Sequence, residues 1–237
     1  MNTQRKNSLL LLLCAFIWGT AFVAQSAGSG MGACSFLAGR SWLAVLVLLP
    51  TVKVFDLVRQ RSTGTTGAPK TPEERRCLRR ASLVCGTLLF VASAAQQFGL
   101  TLNPSTAKAG FLTAMYVVLV PICGLFLKKK VSPTVWISVL LAVAGLYCLC
   151  IKENFTIAPS DLLVMLCAFG YTLHILVIDH FTQKVDGVKM SCIQFLACAI
   201  LSAILMLIFE NPTWADIVPC MGSVLYVGVF SSGVAYT

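Results

Sequence analysis

Eight apolar stretches, each about the length of a membrane-spanning helix, fill most of this chain, and the charges sit almost entirely between them. A bilayer core about 30 Å thick needs roughly 20 apolar residues per helix. Inside lipid every backbone polar group needs an internal partner, so spans of this kind form helices. Strands of a membrane barrel would read as alternating segments of roughly ten residues, and nothing here alternates. With 57% hydrophobic residues, 11% charged and a mean hydropathy of +0.84, a soluble domain of 237 residues could not hide the apolar surface. The chain predicts an all-α polytopic membrane protein. Its spans read as Ser8–Ala27, Ala33–Val52, Ala81–Leu100, Thr106–Leu127, Pro133–Ile151, Asp161–Phe181, Val188–Phe209 and Ile217–Thr237. The one long connection, Lys53 to Arg80, is basic and holds Thr-Gly-Thr-Thr-Gly-Ala-Pro, which predicts a flexible loop and not a domain.

Basic residues in short loops set orientation. With a cytoplasmic N-terminus, 15 of the 18 lysines and arginines fall on the inside and only Lys152 lies in an outside loop; Arg40 and Lys108 lie within spans near their outer ends. The chain is therefore expected in the cell (plasma) membrane with its N-terminus cytoplasmic. Orientation accounts for the net charge of +9, so no nucleic-acid partner is inferred. Arg5-Lys6 followed by a leucine run also has the form of a signal peptide, but that segment is echoed further along the chain. The eleven cysteines show no metal-like spacing and read as small packing residues kept reduced.

The echo is Leu13-Cys14-Ala15-Phe16 against Leu166-Cys167-Ala168-Phe169, a shift of 153 residues, with Trp18 answered by Tyr171. The first copy lies in the first span and the second in the sixth. A repeat of five spans must be inverted in the membrane. Inverted repeats mark secondary transporters, with the substrate near the midplane at the repeat interface. Two five-helix halves need ten helices, and this chain supplies eight. Residues 1–152 read as a first repeat of five helices and 160–237 as an incomplete second repeat of three. The apolar run Gly228 to Thr237 has no polar end. The expectation is a C-terminally truncated chain, short by roughly 50–60 residues at about 20 per span plus loops, and impaired on its own.

Particular strings add to this. They are Ile17-Trp18-Gly19-Thr20-Ala21-Phe22, Leu37-Ala38-Gly39-Arg40, Thr106-Ala107-Lys108-Ala109-Gly110-Phe111-Leu112, and the run Val118 to Leu149 with Pro121, Ser132-Pro133 and Ala144-Gly145. In their order and spacing they resemble the EamA family of the drug/metabolite transporter superfamily. The resemblance implies ten helices in two inverted repeats, alternating access, and carriage of small metabolites, often export of amino acids or related compounds. It implies energy from a proton or substrate gradient, with no nucleotide-binding domain. In one place the chain departs from the pattern. Many relatives carry a glutamate after the fourth helix in a Gly-Glu-Arg-like string, where this chain has Leu127-Lys128-Lys129-Lys130.

Ionisable residues inside a span are expensive and are functional candidates. Arg40 could grip a substrate carboxylate in bidentate fashion, or snorkel to the interface and tie helix ends together. Lys108 reads as an interfacial lysine or as a draw for anions. His174 suits proton coupling or substrate contact, or a neutral, hydrogen-bonded core histidine. Asp161, after Pro159-Ser160, reads as a helix-starting charge; Asp179-His180 reads as interfacial. Gln96, Gln97, Thr113, Tyr116, Tyr171 and Gln194 are uncharged candidates for a pathway. Thr113 and Tyr116 are three apart, as are Tyr171 and His174, so each pair shares a helix face. Trp18 is the counterpart of Tyr171, and ordinary packing is the alternative for each aromatic. Pro121 should kink the fourth helix. Gly19, Gly110, Gly124 and Gly145 are expected to allow close helix approach, with Gly19 and Pro121 as gate or kink positions.

No catalytic set is recognisable. His174 and His180 are six apart, with no H-E-x-x-H, no metal set and no nucleotide fingerprint after Gly28-Ser29-Gly30, so neither an enzyme nor a cofactor is expected. Nor is there a ring of like charges for a channel. The expected partners are the bilayer, a small neutral or zwitterionic substrate and protons as coupling ion, with a homodimer left open. A non-transporting scaffold or accessory subunit is the alternative function. Asn154-Phe155-Thr156 is a glycosylation sequon.

Overall fold

The fold, a computed structural model, describes residues 3–69, 71–102, 105–129, 131–150 and 158–237. The helices are α1 (Thr3–Ala27), α2 (Ala33–Thr63), α3 (Pro72–Leu102), α4 (Thr106–Ala114), α5 (Tyr116–Phe126), α6 (Pro133–Cys150), α7 (Pro159–Phe181), α8 (Gly187–Phe209) and α9 (Trp214–Tyr226). A π segment, Val227–Gly233, and a 3-10 turn, Val234–Tyr236, extend α9. Among the described residues seven helices are long and apolar enough to cross a bilayer, counting Thr106–Phe126 as one, and α6 adds a shorter apolar helix. Large apolar side chains such as Leu10, Phe16, Leu141, Leu207 and Phe209 stay exposed, as a lipid-facing surface requires.

The segment expected to be a loop is mostly helix. Beyond Val52 the chain runs on through Val54-Phe55-Asp56-Leu57-Val58 without a breaker, and α2 stops at Gly64, whose left-handed φ of 69° and N–H bond to Gln60 O make a C-cap. Thr71 Oγ1 accepts from the Glu74 amide at the start of α3. Pro72 suits the first helical position, and Glu73 and Glu74 complement the positive helix end. Composition alone suggested a flexible loop, but a basic exposed surface is compatible with two long helices and a short connection. The end of the fifth span at Ile151, and also Lys152 and the Asn154–Thr156 sequon, lie outside the described residues.

Further expectations change. The fourth span is interrupted at Met115, a turn and a half before Pro121, and Pro121 sits inside α5. The eighth span does not continue as an α-helix to Thr237 but widens into the π segment. Gly19 does not kink α1, which runs unbroken through it, and a Cβ at Gly19, Gly124 or Gly145 would meet nothing within 4 Å. At Gly110 the nearest atom would be a Phe22 ring carbon at 3.9 Å. Close approach is made elsewhere. At Gly86 an added Cβ would lie 2.8 Å from Gln194 O, and at Gly228 it would lie 2.6 Å from Leu43 Cβ, so α8 and the π segment come nearly to backbone contact there.

Contacts fix the helix directions. Cys14–Ala235, Trp18–Ser231 and Thr20–Tyr226 run α1 antiparallel to α9. Ser35–Glu210, Ser41–Cys198 and Arg59–Asp186 run α2 antiparallel to α8. Ser93–Tyr171, with Gly99 packed on Ser160, runs α3 antiparallel to α7. Thr113–Cys167 and Lys108–Asp161 run α4 alongside α7 in the same direction. Exchanging the first, second and third spans with the sixth, seventh and eighth maps α3–α7 onto α9–α1 and α2–α8 onto itself. The central core, with Leu37, Leu48, Leu89 and Phe195, lies where α2, α3 and α8 meet.

The α2–α8 pair is tied at both ends. At one end Glu210 caps α2, accepting from the amides of Cys34 at 2.9 Å and Ser35 at 2.8 Å and from Ser35 Oγ at 2.6 Å. At the other end Arg59–Asp186 and Lys189–Asp56 form two crossed ion pairs, each 2.7 Å. The α7 helix is joined to α4 by Lys108–Asp161 at 2.5 Å and to the chain after α5 by Lys129–Asp179.

Candidate functional site

A cavity of about 260 Å³ is lined by residues of α1, α2, α3, α4, α5, α7, α8 and the extension of α9. The first span contributes Trp18, Ala21, Phe22 and Gln25 at i, i+3, i+4 and i+7, which is one helix face. The sixth contributes Tyr171, His174, Ile175 and Ile178 at the same spacing. Each member of the second set lies 153 residues after its counterpart in the first, so the shift seen in Leu-Cys-Ala-Phe carries directly into the cavity wall. Arg40 and Ser41 enter from α2, Leu89, Ser93 and Gln96 from α3, Thr113 and Tyr116 from either side of Met115, and Phe195 and Cys198 from α8. Ser231, Ser232, Ala235 and Tyr236 complete the lining from the extension of α9. A π turn shifts side chains off the 3.6-residue period, and such turns are frequent at functional sites.

Hydrogen bonds hold the wall in matching pairs. Trp18 Nε1 donates to Ser231 O at 3.2 Å, linking the first span to the eighth. The symmetry-related link, sixth span to third, is Tyr171 Oη with Ser93 Oγ at 3.0 Å. Gln96 Nε2 donates to Thr113 Oγ1 at 3.3 Å. Trp18 and Phe195 each set a ring edge-to-face against Tyr236, with centroids 5.7 and 4.9 Å apart, and Tyr116 meets Tyr171 at 6.4 Å.

Arg40 is 7% exposed and so does not snorkel to an interface. Its Nη1 donates to Gln25 Oε1 at 2.9 Å, and Gln25 is itself buried. None of the described acidic residues forms an ion pair with Arg40, and none lines the cavity. His174 is fully enclosed, with Nε2 3.0 Å from Gln194 Oε1.

Of the candidates read from sequence, Trp18, Arg40, Gln96, Thr113, Tyr116, Tyr171 and His174 come together at the cavity. Gln97 and Gln194 are buried but do not line it. Gln97 Nε2 reaches Gln25 O at 3.4 Å and its Oε1 has no partner; Gln194 supports His174 and its Nε2 has none. Gly19 and Pro121 also lie away from the lining. Lys108 pairs with Asp161, which takes the helix-starting role expected of it, accepting from the Ala158 amide at 2.6 Å. Gln25, Ser93, Ser231, Ser232 and Tyr236 are wall residues that sequence reading missed. Gln25 was within reach, seven residues after Trp18 on one stripe. Among the residues whose side chains are described, all nine cysteines are free, and no group of His, Cys, Asp and Glu could hold a metal ion.

An all-helical bundle crossing the bilayer several times around a polar, partly aromatic cavity is the build of a membrane transporter. The EamA-like transporter family model matches residues 5–151. The chain belongs to that family. It is also 30% identical over 195 residues to an uncharacterized transporter of Archaeoglobus fulgidus, a match covering 81% of this chain and 55% of that relative. The chain thus spans about half the length of the curated relative it matches.

Proposed function

We propose that the chain works as a secondary active carrier of a small metabolite, an amino acid or related compound in the direction of export, by alternating access. In this reading residues 1–152 and 160–237 belong to the two halves that move against each other. One observation carries it: equivalent faces of the first and sixth spans, in register at 153 residues, build opposite parts of one cavity. A pseudo-symmetric site is what a carrier needs in order to present the same groups to either side in turn. The cavity lies just below the roughly 300–1,000 Å³ of drug-sized sites, which suits a small substrate. The basic loops support a cytoplasmic N-terminus and the plasma membrane. His174, with its imidazole in the wall, is the candidate proton-coupling group, and a homodimer is compatible with the exposed apolar surface.

The test is uptake and efflux of a labelled panel of amino acids and small monocarboxylates in proteoliposomes, with and without a pH gradient. Saturable flux that the gradient enhances is expected. A folded protein that moves no compound in either direction would contradict the carrier reading and favour a scaffold.

A further inference from the structure

Among the described residues, the one fixed charge in the cavity wall is positive. Arg40 is 93% buried, and among the described residues its sole hydrogen-bond partner is the neutral amide oxygen of Gln25. A guanidinium carries five donors in a planar fork. Arg40 lines the cavity, and among the described residues only its Nη1 donates to a protein acceptor. A buried cation without a counter-charge is costly, and a ligand bearing one negative charge would remove that cost. The rest of the wall presents neutral donors, Ser93, Gln96 and Thr113, and the rings of Trp18, Tyr116 and Tyr236.

Resting on the carrier reading above, we propose that this cavity takes a small aromatic or apolar monocarboxylate as its net anion, with the carboxylate on Arg40 and the apolar body among the rings. A bidentate guanidinium–carboxylate pair is strong and planar. A zwitterion would bring an ammonium into a site whose described residues offer no carboxylate to receive it. The ring faces offer that ammonium at most about 2 kcal/mol, and the charge of Arg40 opposes it. Net anions are therefore favoured over zwitterions of the same body. Gln25 is the positioning residue, since its Oε1 accepts from Nη1 and holds the fork.

The test uses three probes of one shape at neutral pH: phenylacetate, its neutral amide phenylacetamide, and the zwitterion phenylglycine. Their affinities for the detergent-purified protein are measured by titration calorimetry. Phenylacetate should bind at least tenfold more tightly than either of the others. Arg40→Gln should remove that gap and Arg40→Lys should retain part of it. Equal binding of phenylacetate and phenylacetamide, tighter binding of phenylglycine, or no binding of phenylacetate would overturn the proposal. The wild-type comparison needs no variant, so a misfolded substitution does not shield it. Binding is read apart from flux. Loss of anion selectivity leaves the carrier reading standing, whereas binding of phenylacetate without flux of any compound removes the carrier reading.

Discussion

Trp18 and Tyr171, 153 residues apart, occupy the same register of two oppositely directed helices and line the same cavity. Each is tied by a hydrogen bond to a serine on a neighbouring element, Trp18 to the Ser231 carbonyl and Tyr171 to the Ser93 hydroxyl. Tyr171→Phe removes one such tie and keeps the ring. A net hydrogen bond is worth about 0.5–1.5 kcal/mol, so thermal unfolding in detergent should show a loss of that size, and substrate affinity should fall several-fold. Unchanged stability and affinity would mean that the bond does not hold the wall.

The Arg40–Gln25 contact should be costly to break. Hydrogen bonds to charged groups contribute about 1.5–3 kcal/mol, and both residues are buried. Gln25→Leu leaves the guanidinium without an acceptor on the protein. A fall in stability of roughly that size is expected in chemical or thermal denaturation, partly restored by a bound carboxylate.

Gln97 presents the reverse case. Its Oε1 is buried without a partner and its side chain does not line the cavity. Gln97→Met keeps the shape and removes an unsatisfied group whose desolvation costs about 1–3 kcal/mol. The variant should be as stable as wild type or more so, with unchanged flux. A clear loss of stability would show that the amide is satisfied in the membrane.

Lys128 is the only described non-glycine residue with positive φ, 58°, and it lies just after α5. Left-handed backbone costs a residue with a Cβ roughly 1–2 kcal/mol, partly offset by the larger chain entropy of an unfolded glycine. Lys128→Gly should therefore stabilise the protein by about 0.5–1 kcal/mol, seen as a small rise in Tm.

The spans were legible because lipid makes length and hydropathy nearly sufficient to place a helix. The extensions of α2 and α3 were not, since an exposed basic helix such as Arg59-Gln60-Arg61 has the composition of a loop. Gln96 and Gln97 illustrate the limit at the site. Adjacent residues lie about 100° apart on a helix; here Gln96 lines the cavity and Gln97 turns away from it, and sequence does not say which of the two does so. Ser231 and Ser232 were hidden for a different reason, because the π segment breaks the period by which their face would have been read. Arg40 drew notice as a charge in a span, but its freedom from any carboxylate depends on which helices meet around it.

The most direct measurement is accelerated exchange in proteoliposomes preloaded with unlabelled substrate, comparing wild type with Ser93→Phe, which fills the cavity without touching the ion pairs at the helix ends. The expected result is saturable exchange in wild type and its loss in a folded Ser93→Phe protein. Exchange at the wild-type rate in Ser93→Phe would show that the substrate does not pass through this cavity.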